Sequence, residues 1–336
     1  MSESSQSTPS NPSESKPLNQ SNKKWVKPLI SVIVVSLFVW VGWKHLGELD
    51  RLLSVSPWLA ISILAAFLLM RYLHGQTLRR TLGGLDCHIG RSEGFHLSMI
   101  IAYANLIVPR VGLGGPAVYL NRRYNLHYGE FASLLLPMVV VQFVCVGLLG
   151  VLVQVMLIVL RDQPVHWLVM LLFAGIAGGG LLALLIRVPT REQSANRLVR
   201  LISRLGASWN RLASQPGLLR YVTLLQLVMI FFRAGRLVLV FWAIGVEVDW
   251  LAILTTSLLA DLTLLISITP GALGFREAAI TYGMSIANIA TDLSVSAGIL
   301  DRIICALATV IVGQTSVWKL MKRQANAPAD DESMGE

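Results

Sequence analysis

Long unbroken apolar stretches alternate with short polar or basic segments along this chain, and their lengths predict helices that cross a membrane. Six stretches read as full spans: residues 29–43, short and bracketed by Lys27 and Lys44, then 57–73, 131–160, 167–186, 221–244 and 298–318. Two further stretches are apolar but interrupted. Residues 93–121 are broken at Pro109-x-x-Gly112-x-Gly114, and residues 250–292 at Pro270-Gly271-x-x-Gly274, where Arg276 and Glu277 follow at once. Broken backbone at membrane depth survives only where protein or a wet cavity covers it, so both breaks are candidate sites.

The basic residues decide how these stretches are threaded. Lys23, Lys24 and Lys27 precede the first span, and Arg71, Arg79, Arg80 and Arg91 follow the second. Arg122 and Arg123 follow the first break; Arg187, Arg191, Arg197, Arg200, Arg204, Arg211 and Arg220 face only Glu192; and Lys319, Lys322 and Arg323 follow the last span. By the positive-inside rule these segments, and with them both termini, are expected to be cytoplasmic. The Arg161-Asp162 turn and the acidic segment with Glu247 and Asp249 are then outside. Both ends of residues 93–121 carry the cytoplasmic signature, and so short a stretch cannot make two spans of about 20 residues each. A re-entrant hairpin entering from the cytoplasm is expected there, and parity requires a second one, entering from outside, at 250–292.

The expected fold class is therefore all-α: a polytopic membrane helix bundle of about six full spans and two re-entrant broken-helix hairpins of opposite entry, an arrangement that resembles an inverted repeat. The expected organisation is a disordered cytoplasmic tail at 1–27, rich in Ser, Asn, Gln and Pro, a membrane domain at 28–320 and a cytoplasmic tail at 321–336. The basic loop 187–220 places Leu198, Leu201, Ile202 and Leu205 at helical spacing, as in an amphipathic helix on an anionic leaflet or a solvated charged loop.

Composition agrees: 54% of residues are hydrophobic and 14% charged, which a soluble domain does not show. The net charge of +9 raises nucleic-acid binding, but the cations sit between spans with no aromatic platform, which excludes that class. Cys87, Cys145 and Cys305 are scattered and read as packing residues, and His74, His88, His96 and His127 lack ligand spacing. No metal, cofactor or catalytic residue is expected. The glycines at 178–180 read as helix packing.

Ionisable residues at membrane depth cost about 2.5–3.5 kcal/mol each on insertion scales and are rarely idle. Arg233 and Arg236 fall on one face of the fifth span, Asp261 in the entering arm of the second hairpin, Arg276 and Glu277 at its turn, Asp301 and Arg302 near the outer end of the sixth span, and Arg110 in the first break. Adjacent positions diverge on a helix, so Arg276 cannot pair with Glu277 and each needs a partner elsewhere. Five bases face three acids, leaving two positive charges that a phosphate would balance, with helix N-termini and the glycines Gly112, Gly114, Gly271 and Gly274 letting backbone approach it. The competing reading is structural, with buried ion pairs locking the hairpins between the spans.

The segment from Thr269 through Pro270, Gly271, Gly274, Arg276 and Glu277 to Ala279 closely resembles the Pro-Gly-Gly-Leu-Gly-x-x-Glu motif of the flippase-like family named after the transmembrane region of lysylphosphatidylglycerol synthase. Asn105-x-x-x-Pro109-Arg110-x-Gly112 is similar to the family's earlier Asn/Pro/Gly motif, and Asp301-Arg302 with Gly313 to its last span. The chain departs from the pattern at Leu113, where an acidic residue is usual, at Val141-Gln142, where a Glu-Arg pair is frequent, and at Ala272, which replaces the middle Gly. The resemblance implies movement of an anionic lipid or lipid-linked headgroup across a bacterial-type inner membrane. Synthase activity is not expected, because members that make the aminoacyl lipid carry a large soluble domain and only a short tail follows the last span here. The alternatives are a membrane scaffold or regulatory subunit partnering an envelope lipid or glycan synthesis enzyme, or a secondary transporter for a small anion. A homo-oligomer is compatible with any of these.

Overall fold

The chain divides into two units, Met1–Leu46 and Gly47–Glu336. A computed structural model describes residues 55–107, 111–162, 164, 166–185, 210, 215–266 and 274–325, all in the second unit. The expected first span, the N-terminal tail, residues 326–336 of the C-terminal tail, most of the basic loop, and Pro109, Arg110, Pro270 and Gly271 lie outside the described residues.

Every regular element among the described residues is helical. In chain order these are α1 (Pro57–Gly83), α2 (Arg91–Ile107), α3 (Gly114–Tyr124), α4 (Tyr128–Arg161), α5 (Trp167–Leu185), α6 (Pro216–Ala243), α7 (Trp250–Ile266), α8 (Phe275–Ile286) and α9 (Thr291–Ala325), with a 3₁₀ turn at Val111–Leu113. Five of them, α1, α4, α5, α6 and α9, are long and apolar enough to cross a membrane. The protein is thus a multi-pass membrane helix bundle. Proline opens α1 and α6, where its missing N–H would have no partner anyway, and Pro137 is carried inside the 34-residue α4.

Several helix ends differ from the sequence reading, α6 starting five residues early at Pro216 and α9 running on to Ala325, and two further shifts change which charges lie inside the bundle. Helix α1 continues to Gly83, ten residues beyond the expected end, because Gln76, Thr77 and Thr81 are buried against neighbouring helices and the threonine hydroxyls donate to carbonyls one turn back. Arg71 is therefore a mid-helix residue and not part of a loop. Helix α9 begins at Thr291, with Asp292 in its first turn, so Asp301 lies three turns inside it and not near its outer end.

Contacts at the helix ends sort the polar segments into two groups. Arg80 lies over the Tyr221 ring at 5.0 Å, and Arg123 Nη1 donates to the Arg323 carbonyl at 3.1 Å, gathering the basic ends of α1, α6, α3 and α9. Arg161 pairs with Asp249 at 2.6 Å, joining the far end of α4 to the start of α7.

The two interrupted stretches form helix pairs, α2 with α3 and α7 with α8. In the first, Asn105 Oδ1 accepts the Gly112 amide at 2.8 Å, and Gly112 packs so closely on Asn105 and the Ile101 carbonyl that no side chain fits there. This is the physical content of the Asn-to-Gly spacing. Asn105→Ala is expected to cost about 1–3 kcal/mol, by leaving the Gly112 amide unsatisfied; thermal unfolding in detergent measures it, and an unchanged midpoint would show that water serves equally well. Buried Glu93 ties the pair together at its base, accepting from the hydroxyls of Tyr119 at 2.6 Å and Tyr124 at 2.9 Å and from the Gly90 amide at 3.3 Å.

Helix α9 is the spine for both pairs, and they dock on opposite halves of it. Helix α2 meets the C-terminal half, where His96 Nδ1 lies 3.0 Å from Ser316 Oγ, Tyr103 donates to Gln314 at 3.0 Å, and Gly313 faces the Tyr103 ring. Helix α8 meets the N-terminal half, at Gly298, Asp301 and Arg302. A 35-residue helix is about 52 Å long, so the two docking sites lie well apart along it. Close helix contacts complete the packing: Gly75 against Gly94 joins α1 to α2, and Gly147 against Ala177 with Gly180 against Val144 joins α4 to α5. Gly178 and Gly179 face open space, so only Gly180 of that run packs as expected.

Candidate functional site

The charged residues expected at depth, other than Arg110, which lies outside the described residues, gather where α6, α7, α8 and α9 meet. Arg233 and Arg236 are three apart on α6, so both point the same way. Arg233 Nη1 lies 3.0 Å from Asp261 Oδ1 on α7. Arg236 Nη1 donates to Asp301 Oδ1 on α9 and also contacts the Cys305 sulfur. The other Asp301 oxygen accepts from Arg276 Nη2 at 2.9 Å. Asp261 is the twelfth residue of α7, which places it about 16 Å from the helix start, close to half a bilayer core.

Glu277 stands apart from this group and serves the start of α8. The chain enters α8 through Gly274 at φ +85°, a left-handed conformation that favours glycine, and Glu277 Oε2 accepts the Gly274 amide at 2.8 Å. Its second oxygen accepts from Arg302 Nη1. Arg276 and Glu277 thus turn to different partners, as their adjacency demands, and both partners lie on α9. Asp301 is the most buried of the three acids, at 1% exposure, and holds two arginines, because the earlier start of α9 carries it into the bundle.

Arg71 completes the cluster from α1 and was not among the candidates. Its guanidinium lies 5.2 Å from the centre of the Phe67 ring, and that of Arg236 lies 5.9 Å from the same centre. Arg233 and Arg276 are close enough to repel it. The signal that would have found it is the polar but small-residue continuation of α1 past Leu73, which supports helix as well as loop. Among the described residues, Arg71, Arg233, Arg236, Arg276 and Arg302 face Asp261, Glu277 and Asp301, five cations against three anions. The excess of two equals the sequence estimate, with Arg71 in the place of Arg110.

The arrangement leaves donors unused. Among the described residues, Arg71 Nε, Arg233 Nε and Nη2, and Arg236 Nε are buried without a hydrogen-bond partner, as is Asp261 Oδ2. Buried unsatisfied donors on cations are costly unless something anionic meets them. Arg236 also lines an apolar cavity of about 580 Å³ formed with Ala66, Phe231, Phe232, Leu239 and Trp242, running along α6 toward the acidic end. The cationic cluster therefore adjoins, through Arg236, a space that suits hydrocarbon. Gly112 and Gly114 stay in the first hairpin, outside this cluster, and no three His, Cys, Asp or Glu side chains among the described residues are grouped to hold a metal.

Comparison with known proteins gives one positive result. A family model described as the lysylphosphatidylglycerol synthase TM region matches residues 25–313. No curated protein matches the chain.

Proposed function

Because the chain belongs to the family of the lysylphosphatidylglycerol synthase transmembrane region, we propose that it is a lipid translocase, without enzyme chemistry of its own, that moves an anionic phospholipid or lipid-linked headgroup across the inner membrane. The observation that carries this reading is the pairing of unused arginine donors with an apolar cavity at Arg236. Arginine's planar fork suits phosphate oxygens, and in a low-dielectric site its unmet N–H groups favour an anion strongly. The lipid phosphate lies among Arg71, Arg233 and Arg236 while an acyl chain occupies the cavity beside α6. Arg276 sits at the edge of the same cluster, its side chain 35% exposed, where a headgroup would first meet it. Glu277 and Arg302 position α8 and do not contact the lipid.

In this reading both termini and the basic ends of α1, α3, α6 and α9 face the cytoplasm, as the positive-inside rule directs. The second hairpin then opens outward, and the cavity beside α6 opens to the outer leaflet.

Proteoliposomes containing a fluorescent phosphatidylglycerol or phosphatidic acid test the proposal. Arg233→Gln and Arg276→Gln proteins are expected to move the labelled lipid at least tenfold more slowly than the unsubstituted protein. Equal rates in both variants, or no lipid movement by the unsubstituted protein with either lipid, would count for a scaffold role in which the ion pairs only hold the hairpins.

A further inference from the structure

The balance of charge in the cluster bears on which anion it takes, and this inference rests on the translocase reading of the same site. The pair Arg302–Glu277 is internally neutral and lies toward α8. Next to it, Arg233, Arg236 and Arg276 pair with Asp261 and Asp301 and Arg71 adds a further cation, so among the described residues four positive charges stand with two negative ones. A phosphodiester headgroup such as phosphatidylglycerol brings a single negative charge at its phosphate and leaves one cation over. A phosphomonoester brings about −1.5 to −2 near pH 7 and three acceptor oxygens.

The unused donors match the second kind of group. They come from three arginines on two helices: Nε of Arg71 on α1, and Nε and Nη2 of Arg233 with Nε of Arg236 on α6. A phosphate with two ester links has two free oxygens to offer, whereas a terminal phosphate has three. Arg71 and Arg236 lie near one buried aromatic ring, that of Phe67, whose π-electrons attract both guanidinium groups and offset part of their repulsion. No carboxylate among the described residues lies within ion-pair distance of Arg71, so this side chain carries the charge most in need of a ligand.

We infer that the site selects a dianionic terminal phosphate, the phosphomonoester or pyrophosphate end of a lipid, over a phosphodiester, and that Arg71 is the residue that sets this preference. Arg71 is a specificity residue here because Arg233, Arg236 and Arg276 each already have a carboxylate, and taking Arg71 away leaves three cations against two anions, the balance that suits a monoanion. A soluble phosphate or pyrophosphate has the same charge and oxygens, and the apolar cavity at Arg236 is what argues for a lipid-borne one.

The test is ligand binding to the purified full chain in detergent, followed by the shift in thermal unfolding, with short-chain phosphatidic acid, short-chain phosphatidylglycerol, inorganic phosphate and pyrophosphate as probes. Phosphatidic acid is expected to bind at least tenfold more tightly than phosphatidylglycerol. Arg71→Gln should bring the two lipids to within about threefold of each other, and Arg71→Lys, which keeps the charge, should retain most of the preference. Equal binding of both lipids by the unsubstituted protein, or an unchanged ratio in Arg71→Gln, overturns the inference while leaving lipid translocation standing. If inorganic phosphate or pyrophosphate binds as tightly as phosphatidic acid, the dianion preference holds and the lipid reading falls. Should Arg71→Gln not fold, the comparison of probes on the unsubstituted protein and on Arg71→Lys decides the matter.

Discussion

Asp301→Asn is expected to destabilise the folded protein by about 3–5 kcal/mol, the penalty for removing one partner from a buried ion pair. Asp301 is 1% exposed and accepts from two arginines, Arg236 on α6 and Arg276 on α8, so a neutral side chain of the same size leaves both cations without an anion. The cost is the desolvation of those charges, which their Coulomb attraction to Asp301 now offsets. Arg276 is partly exposed and recovers some hydration, whereas Arg236, with a side chain 4% exposed, does not. Glu277→Gln is expected to cost less, because Glu277 and Arg302 each keep appreciable access at their side chains. The double substitution Arg236→Met with Asp301→Leu should recover much of the stability lost in Asp301→Asn, since an apolar pair of similar volume removes both charges together. It should not recover lipid movement. Unfolding in detergent by heat or by a denaturing surfactant reads the three effects on stability, and the proteoliposome rate reads the effect on lipid movement. A stability for Asp301→Asn within about 1 kcal/mol of the unsubstituted protein, below the usual cost of unpairing a buried charge, would mean that the three helices are held by packing alone. Full transport by the double variant would assign Asp301 and Arg236 a structural role only.

The second large effect is steric. A Cβ placed on Gly75 would lie 2.6 Å from both the carbonyl carbon and oxygen of Gly94, and one on Gly94 would lie 2.6 Å from the Gly75 carbonyl oxygen. The obstructing atoms are backbone in two packed helices, so no rotamer change relieves the clash and α1 must move away from α2. Gly75→Ala and Gly94→Ala are each expected to cost about 1–3 kcal/mol or more, the range for overpacking a tight interface. Gly178→Ala is the control: a Cβ there meets nothing within 4 Å, and the substitution should be close to neutral. Because Gly75 is one turn beyond Arg71, displacing α1 also moves a cation out of the cluster, so Gly75→Ala should weaken anion binding as well as stability. Unaltered unfolding of Gly75→Ala and Gly94→Ala would contradict the close crossing of α1 and α2.

Sequence and structure agree where the governing physics is local. The existence of the spans near 57–73, 131–160, 167–186, 221–244 and 298–318 follows from hydrophobicity over windows of about 20 residues, which is the scale of a membrane crossing, although most of the helices that carry them run past the expected ends. The disagreements that bear on the site are both at helix ends, at Gly83 and Thr291, where a polar but helix-compatible stretch reads as loop. Burial of Gln76, Thr77 and Thr81 against other helices, a tertiary effect, tips that stretch into α1. Each shift has a consequence for the site: one brings Arg71 in, and the other takes Asp301 from the rim to the centre.

The sequence by itself determined that this is a multi-pass helical membrane protein of its family, that its charged residues at depth are mostly on the last four helices, and that positive charge exceeds negative among them. It also required that Arg276 and Glu277 have different partners, since neighbouring positions on a helix point apart. Only the tertiary structure decided which partners those are. Arg236 reaches Asp301 across 65 positions of chain, and Arg276 and Glu277 reach Asp301 and Arg302 across 25, through helix docking that no short-range periodicity encodes. The tertiary structure likewise decided that Arg71, read from the sequence as a loop charge, stands beside Phe67 with no carboxylate partner among the described residues. The physical reason is one of range: hydrophobic length sets where a helix lies in the membrane, but the pairing of buried charges depends on which helix faces meet.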